Sequence, residues 1–105
     1  MTLETTLEKR GCAYLHEQGA HPIKRGQEGE PDQQVLWGRG HHFWIEFKKL
    51  GGKIRPGQKV WAKYLKAIGD EHYFVDTFEQ LVEIVKMQTI LYGRATARRD
   101  HAFNK

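Results

Sequence analysis

One cysteine, Cys12, is all the thiol in this chain of 105 residues. No internal disulfide can form, and the sequence fits a reducing, cytoplasmic setting. No apolar run approaches the roughly 20 residues that a membrane-spanning helix needs, and the N-terminus shows no signal-peptide pattern. Neither export nor a membrane partner is expected. Internal repeats and low-complexity segments are absent. The six histidines never fall at zinc-ligand spacing, and His41-His42 sit in or beside a turn, where exposure is expected. No Ser/His/Asp set is recognisable. Gly38-Arg39-Gly40 precedes a strand, not a helix, and so reads as a hairpin turn, not a phosphate loop.

What is present describes an ordinary one-domain globular protein, 39% hydrophobic and 29% charged. The net charge is +4, with a pI near 9.3. Lys48, Lys49, Lys53, Arg55, Lys59 and Lys63 crowd the middle, while Arg94, Arg98, Arg99 and Lys105 crowd the end. That distribution suits a polyanionic partner, although a solvated face accounts for the same charges.

Apolar spacing predicts a helix over 2–18, from Leu3, Leu7, Tyr14 and Leu15, with Gly19 as its stop. A short strand is expected at His21–Lys24 and a loop at 25–32, which holds Gly26, Gly29 and Pro31. Strands follow at Gln33–Trp37 and His42–Lys48, joined by the glycine turn. Pro56 opens a helix to about Ile68. His72–Val75 reads as a strand, and Thr77-Phe78-Glu79-Gln80 has the capping-box form that starts a last helix, closed by Gly93. The order is helix, three strands, helix, strand, helix: an α/β domain over 1–92 with a central sheet. Residues 93–105 read as a polar, basic tail.

The stretch Phe43-Trp44-Ile45-Glu46-Phe47-Lys48 says most about function. Side chains alternate along a strand, so Phe43, Ile45 and Phe47 share an apolar face, and Trp44, Glu46 and Lys48 the other. A surface salt bridge would explain Glu46 and Lys48 alone. Asp32, however, opens the preceding strand, and a short turn brings it near Glu46 at the same sheet end. Two carboxylates about 4 Å apart repel by roughly 4 kcal/mol at an effective dielectric of 20, a cost that a divalent cation offsets. Hard oxygen ligands suit Mg²⁺ or Mn²⁺. Lys48 beside them could neutralise a bound anion or orient water. On the first helix, Glu4 falls inside the apolar arc and Glu8 on its edge, either of them a third acid or a salt-bridged glutamate. Gln58 in the first turn of the next helix could be a cap or could bond water or phosphate.

Asp32, after Pro31, together with Glu46-Phe47-Lys48 resembles the PD-(D/E)xK nuclease superfamily. More narrowly, the chain resembles a stand-alone virus-type replication–repair nuclease (VRR-NUC) domain, of the kind found in phages and bacteria. The matching elements run in order over residues 4–76. They are Glu4-x-x-Leu7-Glu8, Gly19, Lys24, Gly29-Glu30-Pro31-Asp32, the Phe43–Lys48 strand, Gly51-Gly52-Lys53, Pro56-Gly57-Gln58 and a late strand ending at Asp76. The resemblance implies a restriction-endonuclease-like αβββαβ core, a mixed sheet flanked by helices. It implies one or two Mg²⁺ (or Mn²⁺) ions on Asp32, Glu46 and the Phe47 carbonyl, with Lys48 and Gln58 completing the catalytic set. Glu8 is the preferred helix-borne acid, since its distance to Gly19 resembles that in archaeal Holliday junction resolvases. Glu30 departs from the family, which usually has a small apolar residue there.

The function expected is metal-dependent endonucleolytic hydrolysis of DNA by in-line attack of water, with basic residues 49–63 and the tail on the flanking backbone. A homodimer would present two sites to two strands, which suits Holliday junctions or other branched DNA. The alternatives are a nicking or restriction-type nuclease on linear duplex, and a non-catalytic DNA-binding module. Intact Asp32, Glu46 and Lys48 argue against the last.

Overall fold

The computed structural model describes residues 3–25 and 29–103, without the side chains of 3, 4 and 101–103. Glu4, the alternative helix-borne acid, is therefore outside the described side chains, and Gly26 and Lys105 are outside the described residues. The order is α1 (Leu3–Glu17), β1 (His21–Lys24), β2 (Gln33–Gly38), β3 (His41–Phe47), α2 (Pro56–Ala67), β4 (His72–Val75), α3 (Phe78–Tyr92) and α4 (Ala97–Phe103). One four-stranded sheet runs β1-β2-β3-β4. The first three strands are antiparallel, and β4 joins β3 in parallel through α2. This is the mixed-sheet α/β fold that the pattern predicts.

Alternation sorts β2 and β3 as expected. Val35, Trp37, Phe43, Ile45 and Phe47 are fully buried, forming the core with Leu15 of α1, Val75 of β4 and Leu81 of α3. Gly11 makes the close approach of α1 possible: a Cβ there would stand 2.9 Å from the Phe47 ring and 3.0 Å from Leu81 Cδ2. Across the sheet, α2 sits against Glu46 through Gln58, so the strand carrying Glu46 is covered on both sides.

The β2–β3 turn holds three successive positive φ angles, at Gly38 (122°), Arg39 (55°) and Gly40 (80°). Only Arg39 pays a steric cost for this. Its guanidinium compensates by donating to the carbonyls of Tyr92 (2.6 Å) and Arg94 (2.8 Å) and to Thr96 Oγ1 (3.2 Å). These bonds tie the turn to the end of α3. The segment read as a polar tail is folded as far as Phe103. Thr96 N donates to the Trp37 carbonyl at 2.7 Å, Arg98 N donates to that of Gly19 at 3.0 Å, and Ala97 is buried. Hydropathy missed this because the segment carries no apolar stripe; it docks through backbone bonds together with the small side chains of Ala95 and Ala97.

His41 and His42, expected to be exposed, begin β3 half-buried and bonded. His42 Nε2 lies 3.1 Å from Asp70 Oδ2. His41 Nε2 meets the oxygen of fully buried Gln88 at 2.6 Å, and Gln88 Nε2 in turn donates to Glu71 at 2.6 Å. Burial would raise the Glu71 pKa, but bonds from Tyr73, Tyr92 and Gln88 outweigh it and hold the carboxyl below its ordinary range. This network fastens α3 to the start of β3 and β4, at the far end of the sheet from Asp32.

Candidate active site

The antiparallel register pairs Gln33 with Ile45, and one step further sets Asp32 opposite Glu46. The two residues are bonded through each other's backbone. Asp32 N donates to Glu46 Oε2 at 2.8 Å, and Phe47 N donates to Asp32 Oδ2 at 2.8 Å. Each carboxylate is thus held in place by the strand that carries the other. Glu46 is 3% exposed, a position where an ionised group needs fixed donors.

Gln58 supplies the second donor, from Nε2 to Glu46 Oε1. Its own oxygen accepts from Arg55 N at 2.9 Å, capping the start of α2. The two bonds fix which way the amide points, and one residue both caps a helix and orients the carboxylate. The expectations of a cap and of a site residue therefore describe one side chain.

Glu8 reaches the same region from α1. Its Oε2 accepts from Lys24 Nζ (2.7 Å) and from Gln33 Nε2 (2.6 Å). Burial lowers the Lys24 pKa, but its bond and charge interaction with Glu8, with Asp32 adding to them, raise it overall. Cys12, on the same helix, is pushed up to about 11 by burial first and then by Glu8. Gln33, 4% exposed, was missed from the sequence. The signal was legible: Gln33, Val35 and Trp37 share one face, and a glutamine among core positions needs a partner. Glu30, the family departure, pairs with Arg25 at 3.4 Å, so its charge is locally balanced.

Lys48 stands apart. It is 5% exposed, not part of a solvated basic face. It lines a cleft with Arg10 of α1 and Asp76 and Thr77 beyond β4. Asp32, Glu46, the Phe47 backbone and Gln58 are thus joined directly, Glu8 through Gln33, and Lys48 borders the group.

A solved structure described as a VRR_NUC domain superposes on this chain with a TM-score of 0.74, covering 82% of this chain and 97% of the other at 23% identity. The chain has the VRR-NUC fold. No family model matches the sequence, and no curated protein does. The VRR-NUC fold accounts for the αβββαβ order and for a sheet end at which β2 begins and β3 finishes. Asp32 and Glu46 occupy that end in this chain.

The donors there fit a hard divalent cation. They are the carboxylate oxygens of Asp32 and Glu46, hard ligands of the kind that such an ion takes. Among the described residues no three His, Cys, Asp or Glu converge as a ligand cluster. Mg²⁺ tolerates that, being commonly held by one or two carboxylates, waters and substrate phosphates. No described helix is long and apolar enough to cross a membrane.

Proposed function

We propose that this chain is a divalent-metal-dependent DNA endonuclease of the PD-(D/E)xK class and VRR-NUC family. The reading is carried by one observation, the reciprocal bonding of Asp32 and Glu46 across the β2–β3 end, with Gln58 bonded to the other oxygen of Glu46. A fold gains little by holding two carboxylates together at a buried sheet end; a cation and a phosphate give the arrangement a use.

Asp32, Glu46 and the Phe47 carbonyl would hold one or two Mg²⁺ or Mn²⁺ ions. When bound, such an ion supplies Lewis acidity at the phosphate and eases deprotonation of water. The chain's own residues do the rest. Gln58 and the Asp32 amide fix the rotamer of Glu46, so no reorganisation is needed as substrate arrives. Gln33 and Lys24 hold Glu8 toward the same sheet end. Lys48, at the cleft border, balances charge that develops on the phosphate. Exposed Lys49, Lys53, Arg55, Lys59 and Lys63 track the flanking backbone, so affinity falls steeply with salt. Branched DNA such as a Holliday junction, cut by a homodimer, is the substrate proposed.

The test is a cleavage assay on labelled four-way junction, flap, duplex and single-stranded DNA with Mg²⁺, Mn²⁺ or EDTA, beside Asp32→Ala and Lys48→Ala. Metal-dependent junction cutting, lost in both variants, is the expected result. Cutting confined to linear duplex would remove the branched-DNA assignment. Binding without cleavage on every substrate would replace the nuclease by a non-catalytic binding module.

A further inference from the structure

We propose that Trp44 is a base-stacking residue, and that the sheet face beside the two carboxylates takes an unpaired nucleobase. That the base belongs to a strand being cut rests on the nuclease reading; the stacking itself does not. Trp44 and Glu46 stand two residues apart on β3 and point to the same face, about 6–7 Å apart along the backbone. A nucleotide adjoining one held at Asp32 and Glu46 comes within reach of the indole. The antiparallel register sets Gln34 of β2 beside Trp44, and Ile23 of β1 beside Gln34. His72 of β4 flanks Trp44 on the other side. All four are half-buried, whereas Val35, Phe43 and Ile45 on the opposite face are fully buried. This row stays partly open to solvent.

The indole is fixed before any ligand arrives. Its Nε1 donates to Asp70 Oδ2 at 2.9 Å, the bond that does most to hold the Asp70 carboxyl below its ordinary range. His42 Nε2 lies 3.1 Å from the same oxygen, and its ring stands perpendicular to the indole with centroids 6.0 Å apart. A ring already held in one orientation loses little freedom when a base stacks on it.

Arg25 supplies the other half of the site. Its guanidinium carbon lies over the indole, 5.8 Å from the ring centroid. Stacked groups touch at about 3.5 Å, so a gap separates the two. A planar base between them needs about 7 Å, and a shift of about 1 Å by Arg25 opens that space. The Arg25 side chain is 41% exposed, and its ion pair with Glu30 is long, at 3.4 Å, so little resists the shift. Its backbone is anchored at the carboxylate end, where Arg25 N donates to the Asp32 carbonyl at 2.8 Å. Arginine on one side and tryptophan on the other suit the π-face of any base, and the guanidinium adds the positive charge that a strand attracts. A base stacked inside a duplex offers no face to this gap. The occupant is an unpaired nucleotide, as at a branch point, a flap or a single strand.

The experiment measures, by anisotropy in EDTA, binding of a short labelled single strand of mixed sequence, of the same strand built wholly from abasic residues, and of the matching duplex. The abasic strand keeps every phosphate and loses every base. The proteins are the unaltered chain, Trp44→Phe, Trp44→Leu and Arg25→Gln. Phe and Leu both remove the bond to Asp70, but only Phe keeps an aromatic face, so the difference between them reads stacking. The unaltered protein should bind the base-bearing strand about tenfold more tightly than the abasic one. Trp44→Leu should lose that preference, Trp44→Phe keep most of it, and Arg25→Gln reduce it. Duplex binding should be the same in all four, which also shows that the variants are folded. Equal binding of both single strands by the unaltered protein, or a preference that survives in Trp44→Leu, overturns the proposal. Should Trp44→Leu fail to fold, loss of the preference in both Arg25→Gln and Trp44→Phe supports the gap, and its persistence in Arg25→Gln overturns it. Cleavage in Mg²⁺ by the same preparations separates the two ideas. Cleavage without a preference for bases removes the stacking site and keeps the nuclease, and the preference without cleavage does the reverse.

Discussion

Replacing Asp32 by Asn should stabilise the metal-free protein while abolishing its activity. Asn keeps the oxygen that accepts from Phe47 N, so the strand end stays closed. What it loses is the negative charge facing buried Glu46. Two carboxylates at about 4 Å repel by roughly 4 kcal/mol at an effective dielectric of 20, and solvent at half-buried Asp32 cuts that by about half. Against it stands the weakening of one charge-assisted hydrogen bond to a neutral one, about 1 kcal/mol. The balance is a gain of about 1 kcal/mol in EDTA, or roughly 5 °C in melting temperature for a domain this size. Mg²⁺ reverses the order. At a concentration about 100 times its dissociation constant the ion adds about 2.7 kcal/mol to the unaltered protein and little to the variant. Thermal melts of both proteins in EDTA and in Mg²⁺, with cleavage measured alongside, make the comparison. A variant less stable than the parent in EDTA, or an equal Mg²⁺ effect on both, would refute the idea that Asp32 and Glu46 are held together for a cation.

Three further outcomes follow from particular contacts. Gln58→Met keeps the bulk of the side chain but removes both its bonds, so cleavage should drop about 10- to 100-fold and need more Mg²⁺; a Mg²⁺ titration of the cleavage rate reads this. Gly11→Val would drive side-chain atoms into the Phe47 ring and Leu81, costing about 2 kcal/mol or more by urea unfolding, since the site strand itself must shift. Cys12, raised from 9.0 to about 11 by burial and by Glu8, should alkylate at pH 8 about 100-fold more slowly than an unperturbed thiol. The same shift means that the native state holds a proton the unfolded chain has lost, so stability declines as pH rises from 9 towards 11. Cys12→Ser should flatten that part of the profile.

Local rules carried much of this protein. The period-2 alternation of Phe43–Lys48, the apolar spacing of α1, Pro56 before α2 and the Thr77–Gln80 capping box each name their element, because each depends on neighbours a few residues away. A short hairpin also decides which residues can face each other, and so Asp32 and Glu46 could be paired from the chain alone. The resemblance to VRR-NUC domains covered the same residues, and the fold agrees with it.

Contacts made over long sequence separations were decided only by the tertiary structure. Gln33 meets Glu8 across 25 residues, and no local pattern reveals which acid a buried glutamine will find. Gln58 looked like a helix cap and is one, but its second bond to Glu46 exists only because α2 crosses back over the sheet. Lys48 was expected on the strand face of Glu46, but β3 ends at Phe47 and Lys48 lines a cleft whose place depends on where α1 and α3 pack. The basic end segment lacks an apolar stripe, and it folds because Trp37 and Gly19 offer carbonyls to it. Sequence determines periodicity, turns and caps, since these are set by backbone sterics and nearby side chains. Packing determines which polar groups meet, and at this sheet end it brings together Asp32, Glu46 and Gln58.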